Sequence, residues 1–312
     1  MRAFLVCLLV LATPTAHAKK RRQGGAHPAE RRVARHHQRF AGNGTGGDSP
    51  KPEGGGPELL LTFDDGPALD KTPKVLELLD QHGYKAVFFV CGAHFTGKSA
   101  AAEKARALLR EIVARGHAVG NHTVHHLFLC GKPGVDRAVE EIEGNGQLIA
   151  DAIGAPPYLF RTPYGAHCAT LEATLASLGV RPIGWDIDPQ DWRLKNAVKI
   201  EATVKAALRR LDGRAILLLH DVQAATLVAL PKILDFIDQE NVRRGQVGRA
   251  PIKVISYDYL LEGRVPKAPD RSLPALARAA FESIFVPFWR DAAAPGDGGA
   301  GSPVDLGAVP RP

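Results

Sequence analysis

The sequence predicts an α/β fold built on a parallel sheet, and three observations carry that prediction. Short apolar runs alternate with longer stretches of helical character from Glu58 to Ser256, the pattern of strands joined by crossover helices. The runs Leu59-Leu60-Leu61-Thr62-Phe63 and Ile216-Leu217-Leu218-Leu219 do not alternate polar with apolar, which fits strands covered on both faces. Polar residues gather directly after the runs, where parallel strands present their carboxyl ends to ligands. This periodicity fits an open doubly wound sheet and a closed barrel equally well.

In chain order, residues 1–18 read as a signal peptide. Arg2 supplies the positive start, Phe4–Ala12 the short apolar run, and Ala16-His17-Ala18 a small-x-small cleavage site. The run is too short to span a bilayer, and no other segment is long and apolar enough to be a transmembrane helix. The expected product is exported, periplasmic or extracellular. Residues 19–57 are rich in Gly, Arg, His and Pro and read as a disordered linker. A folded domain is expected over 58–262. Its strand candidates are Leu59–Phe63, Ala86–Val90, His117–Asn121, Tyr158–Phe160, Arg181–Trp185, Ala215–Leu219 and Ile252–Ser256. Helices are expected over Thr72–His82, Ser99–Arg115, Val135–Ile153, Ala169–Leu178, Ala197–Leu211 and Leu227–Glu240. Gly144 and Gly146 weaken the third of these. In 263–312, Leu273, Leu276, Phe281, Ile284 and Phe285 mark an amphipathic helix over Ser272–Phe285, capped by Ser272, ahead of a frayed tail.

The net charge of +7 belongs to the linker. Residues 19–57 hold nine Lys/Arg against three Asp/Glu, Arg2 adds one more positive charge, and residues 58–312 sum to zero. A nucleic-acid role for the domain is therefore disfavoured, because no basic excess remains to meet phosphates. A solvated linker is the simplest reading of the charge run, and contact with an anionic envelope surface is the alternative. Beyond Cys7, Cys91, Cys130 and Cys168 remain, with no spacing that suggests a cysteine metal site.

Five polar clusters follow the strand candidates. In Thr62-Phe63-Asp64-Asp65-Gly66-Pro67, adjacent carboxylates are costly unless something positive lies between them. In an extended chain they diverge, so one can hold a metal while the other reaches a water. In His122-Thr123-Val124-His125-His126, a helical turn would put His122 and His126 on one face and send His125 elsewhere. Two histidines and a carboxylate make a three-point metal site, suited to zinc or another divalent transition metal. Arg161-Thr162-Pro163-Tyr164-Gly165 offers a forked donor for a carboxylate and an exposed Tyr164 N–H for an oxyanion. Trp185-Asp186-Ile187-Asp188-Pro189-Gln190-Asp191-Trp192 frames acidic residues between tryptophans that could wall a sugar or acyl group. Leu217-Leu218-Leu219-His220-Asp221 places a histidine on the same rim as a candidate acid or base. Each piece alone has a plain structural alternative: a turn, a surface histidine cluster, a buried Trp.

Taken in order, these clusters resemble the polysaccharide deacetylase family, which shares the NodB homology domain (carbohydrate esterase family 4), over Glu58 to Leu261. The resemblance implies a distorted (β/α) barrel of about seven parallel strands. It implies Asp65, His122 and His126 as metal ligands, with zinc first and cobalt or nickel as alternatives. It implies Asp64 as general base, Arg161 as its support, Tyr164 as oxyanion donor and His220 as general acid. Asp188, Asp191 and Trp192 match the motif whose acidic residue orients that histidine, and Trp192 with Leu218 matches the pocket for an acetyl methyl. The implied activity is hydrolytic removal of N-acetyl groups from an amino-sugar polymer or oligomer, chitin-like or peptidoglycan-like. The alternatives are an O-acetyl esterase on a xylan-like polymer and a non-catalytic carbohydrate-binding member of the fold. A zinc peptidase is disfavoured because His122 is followed by Thr123, not Glu. Thr162 stands where the family commonly has Pro. The three cysteines follow the second strand, the second motif and the third motif, near one rim, and Cys130–Cys168 is the bridge expected among three possible pairings.

Overall fold

The computed structural model describes residues 56–257. The leader, nearly all of the linker and the helix expected over Ser272–Phe285 lie outside the described residues. Five strands form one parallel sheet: β1 (Glu58–Asp64), β2 (Ala86–Val90), β3 (Ala118–Asn121), β4 (Arg214–His220) and β5 (Lys253–Val254). The order is β3-β2-β1-β4, with β5 paired to the start of β1. Between them run α1 (Thr72–Gln81), α2 (Ala100–Ala114), α3 (Ala138–Ile153), α4 (Ala169–Ser177), the single turn α5 (Asp191–Leu194), α6 (Ala197–Arg210) and α7 (Ala224–Gln246).

Two of the seven strand candidates do not become strands. Tyr158–Phe160 and Arg181–Trp185 contribute only isolated parallel bridges, Asn121 to Phe160 and Phe160 to Pro182, and Ile187 bridges to Leu217 of β4. The reason is local: β3 offers only four residues to pair with, and Pro182 has no N–H to extend a ladder.

Side-chain alternation along β1 feeds two separate cores. Leu59, Leu61 and Phe63 pack with Val75, Leu76 and Leu79 of α1 and with Leu230, Ile233 and Ile237 of α7. Leu60 faces the other way, with Val87, Phe89, Ala118, Leu159, Ile183, Trp185, Ile216 and Leu218. Among the described residues, no helix contributes a buried residue to this second cluster. Burial on both faces is why β1 and β4 are apolar at successive positions.

Two of the helices start at side-chain caps. Ser99 accepts the Ala102 N–H at 3.1 Å ahead of α2, and Asn196 accepts the Lys199 N–H at 3.1 Å ahead of α6. Gly154, at φ 80°, closes α3 in the left-handed conformation that suits glycine. The parallel pairing brings the carboxyl ends of β1, β3 and β4 to one edge, together with the segment after Phe160. Every polar cluster noted above opens onto that edge.

Candidate active site

Asp64 ends β1 and is buried. Arg161 reaches it from the segment after Phe160, with Nη1 donating to Asp64 Oδ1 at 2.7 Å and to Thr62 Oγ1 at 2.8 Å. Its Nε donates to the Ile183 carbonyl at 3.1 Å and Nη2 to the Gly184 carbonyl at 2.9 Å. The guanidinium also lies over the Phe89 ring, 4.2 Å from its centroid. A fully buried arginine is tolerated here because its fork finds acceptors on several sides and its face an aromatic ring. The result is one fixed Asp64 oxygen and one, Oδ2, left toward the site.

Asp65 departs from the extended geometry read from the sequence: it sits at φ 74°. The turn that follows is tight, since a Cβ on Gly66 would lie 2.4 Å from Asp221 Oδ2. The same Asp221 carboxylate accepts the Thr72 hydroxyl, whose oxygen in turn accepts the Ala68 N–H at 2.8 Å. Burial pushes Asp221 up to about 7, with the Thr72 bond opposing and the Asp65 charge adding to the rise.

His122 and His126 meet Asp65, but not on a helical turn. Residues 122–126 form a bend, with Thr123 at φ 66° and His126 at φ 54°. The left-handed residues replace the expected turn of helix and still bring the ring centroids within 4.9 Å. His122 Nε2 lies 3.4 Å and His126 Nε2 3.2 Å from Asp65 Oδ1. His125 points away, its side chain half-exposed.

This donor set fits a cation. The three ligand atoms lie within 4.8 Å of one another. His122 Nδ1 donates to the Arg161 carbonyl at 2.8 Å, which leaves the Nε2 lone pair facing Asp65. Burial, with His122 close by, pushes His126 down to about 4, so its ring is neutral near pH 7. Burial opposes the charge on Asp65, yet the His122 contact and the His220 charge hold it below the usual carboxylate range. Its Oδ1 is buried with no hydrogen-bond partner. Two imidazole nitrogens converging on an orphaned carboxylate oxygen leave room for a positive charge between them.

His220 ends β4. Asp191, at the start of α5, accepts from His220 Nδ1 at 2.7 Å and from the His220 backbone N–H at 2.8 Å. Thr226 donates its hydroxyl to the same carboxylate. Burial alone would discharge the imidazole; the bond and charge of Asp191, then the charges of Asp65 and Asp64, outweigh it and raise His220 to about 10. A cation at Asp65 would offset part of that field. Asp188 shares the electrostatic field of His220, Asp191 and Asp64. Its Oδ1 accepts the Gln190 N–H at 2.7 Å, closing its own turn. Burial lifts it to about 6.

Asp64, Asp65, His122, His126 and His220 line a cavity of about 620 Å³ with Leu127, Phe128, Thr162, Tyr164, Trp185, Trp192, Leu218 and Gln223. Tyr164 is left-handed, at φ 59°, and its ring meets His126 with centroids 4.4 Å apart. Gly165 follows at φ 60°, and a Cβ there would come within 2.9 Å of the Trp185 ring. Cys130 and Cys168 form a disulfide, the expected pairing, which ties the segment after His126 to the segment after Gly165. Cys91 is a buried free thiol. Sequence reasoning missed Phe128, Gln223 and Thr226, which carry no motif of their own, and the buried α3 residues Glu141 and Asn145.

Residues 51–183 match the family described as polysaccharide deacetylase. A chitooligosaccharide deacetylase of Sinorhizobium fredii is 37% identical over 174 residues, covering 55% of this chain and 75% of that protein. The chain belongs to the polysaccharide deacetylase family. A second polysaccharide deacetylase relative, a peptidoglycan-N-acetylglucosamine deacetylase of Bacillus cereus, is 30% identical over 190 residues, 59% of this chain and 84% of its own length. Among solved structures, the family 4 carbohydrate esterase from Streptomyces lividans in complex with acetate superposes with a TM-score of 0.51 at 33% identity, covering 64% of this chain and 99% of that one. Among the described residues of this deacetylase-family chain, no helix is long and apolar enough to cross a membrane.

Proposed function

We propose that the protein is a metal-dependent hydrolase that removes N-acetyl groups from an amino-sugar polymer or oligomer of the chitin or peptidoglycan kind. The convergence of Asp65, His122 and His126 between a fixed carboxylate and a charged histidine carries this reading. The relatives named as chitooligosaccharide and peptidoglycan deacetylases support the substrate class. Asp65, His122 and His126 would hold the ion, and zinc suits two neutral imidazoles and one carboxylate. When bound, it supplies Lewis acidity to the acetyl carbonyl and acidifies water.

The chain's own groups do the rest. Asp64 Oδ2, the oxygen that Arg161 leaves toward the site, takes the proton of the attacking water as its oxygen bonds to the acetyl carbon. The Tyr164 N–H donates to the oxyanion that develops. The carbon–nitrogen bond then breaks, and His220, held protonated by Asp191, gives its proton to the departing amine. Acetate and a free amino sugar result. Trp192 and Leu218 wall the acetyl methyl. Asp191 orients His220, and Asp188 shapes the turn that delivers Asp191.

The bridges at Phe160, Pro182 and Ile187, and a second core that holds no helix residue among the described residues, support a distorted (β/α) barrel. The disulfide supports an exported protein with a leader over residues 1–18, since such bonds persist in oxidising compartments. The test is acetate release by the zinc-loaded protein from chitin oligomers, peptidoglycan fragments and acetylated xylan. Asp64→Asn and chelator-treated protein serve as controls. Release from an amino sugar, lost in both controls, is the expected result. Release from xylan alone would move the protein to O-acetyl esters, and no release despite bound zinc would overturn the catalytic reading.

A further inference from the structure

The bend that carries both metal-facing histidines is strained. Thr123 and His126 lie at φ 66° and 54°. Left-handed backbone is costly for a non-glycine residue and persists only where the surroundings fix it. Thr123 is β-branched, which makes the conformation rarer still. Local bonds begin the job: the Thr123 N–H donates to Asn121 Oδ1 at 2.9 Å, and the His126 N–H to Thr123 Oγ1 at 3.1 Å. On one side, the Gly92 and Ala93 N–H groups donate to the Thr123 and Val124 carbonyls.

On the other side stands α3. Glu141 is fully buried, and both of its carboxylate oxygens go to His125. Oε2 accepts the His125 backbone N–H at 2.7 Å, and Oε1 pairs with His125 Nδ1 at 2.7 Å. The Glu141 carbonyl accepts the Val124 N–H at 3.2 Å. Arg137 Nη2, 3.4 Å from Oε1, offsets the charge. One turn on, Asn145 donates to Asn121 Oδ1 at 2.8 Å and to the Val90 carbonyl at 2.9 Å. A buried carboxylate is costly without such partners, and here its two oxygens grip the residue directly before His126.

We propose that Glu141 is a positioning residue, setting the placement of His126 relative to His122 and Asp65 from outside the cavity. This rests on the metal-hydrolase reading, because it assigns Glu141 a role in metal affinity. Length matters in this arrangement more than charge, because the bond that fixes the backbone needs only an acceptor at the right reach.

The experiment measures zinc affinity of the full chain by competition with a chromophoric chelator, alongside the visible spectrum of the cobalt-loaded protein. Glu141→Ala is expected to weaken zinc about 10–100-fold, the usual range for groups that orient ligands. Glu141→Asp keeps the charge but falls one methylene short, and is expected to weaken zinc about tenfold and shift the cobalt bands. Glu141→Gln keeps the length and an acceptor, and should stay within about threefold of the unmutated chain. If Glu141→Ala does not fold, the other two decide. Unchanged affinity and bands in Glu141→Asp would overturn the proposal, as would a loss in Glu141→Gln equal to that in Glu141→Asp. Failure of the unmutated chain to bind zinc would instead remove the metal reading itself.

Discussion

The chemistry of the site turns on how single residues are held in one protonation state. His220 is buried, yet Asp191 keeps it charged. A proton donor loses activity as pH rises through its pKa, so if His220 is the donor, as proposed, the alkaline limb of kcat/KM reports this pair. Asp191→Asn removes the charge that raises the pKa, and the limb should move about 1–3 pH units toward acid, measured as a pH–rate profile. A limb that stays in place would mean another group is the donor. His117 shows the opposite case, far from the site. It is buried, its Nδ1 accepts the Ala86 N–H at 3.2 Å, and burial, with the Lys85 charge, pushes it down to about 4. The folded ring stays neutral at a pH where the unfolded ring, near 6.5, takes a proton. Its stabilising contribution is therefore complete above pH 6.5 and falls as pH drops toward 4, by roughly 3 kcal/mol. Denaturant unfolding of the native protein and His117→Gln at pH 8 and pH 5 should show the difference narrowing at the lower value. At this scale the motif residues were legible, because Asp64, Asp65, His122 and His220 stand at strand ends in the chain itself, while His126 and Arg161 lie in short polar motifs close behind apolar runs. Glu141 was not, because a glutamate on an amphipathic helix looks the same whether it faces water or a buried loop.

Among the elements, strands with unbroken apolar runs were readable from the chain, and α1 to α4 lie within a residue or two of where periodicity put them, apart from a turn of 3₁₀ helix, Val135–Arg137, ahead of α3. The failures have physical causes. Tyr158–Phe160 and Arg181–Trp185 have strand-like composition but pair at single positions. Helix α7 begins at Ala224, ahead of the expected Leu227, because its start lacks a side-chain cap to mark it, and it runs on to Gln246 through Pro231 and Gly245. The turn α5 is bracketed by left-handed Gln190 and Lys195 and is too short for periodicity to register. Gly144 and Gly146 did not break α3, since packing outweighs propensity. A Cβ on Gly146 would meet nothing nearer than Asn121 Nδ2 at 3.7 Å. Gly146→Ala should therefore stabilise the protein by up to about 1 kcal/mol in denaturant unfolding, through helix propensity alone. A destabilised variant would show that α3 sits closer to the histidine bend than this spacing implies.

For the molecule as a whole, the disulfide between Cys130 and Cys168 closes a span of 38 residues that includes all of α3 and Arg161. Cross-linking that span should contribute about 2–4 kcal/mol, so Cys130→Ser/Cys168→Ser should unfold at a clearly lower temperature, and the native protein should match it under reductant. An unchanged Tm would mean that the span is already ordered without the bond. The central strand has a further consequence. β1 is paired to β4 along all seven of its residues, to β5 at its start and to β2 at its end. With partners on both flanks, its amides have no local route to solvent and should exchange hydrogen only when the entire domain opens. Asp64 and Asp65 hang from the end of that strand, so they are fastened to the last part of the molecule to let go. Local opening of surface segments around the cavity would leave the carboxylates at its floor in register.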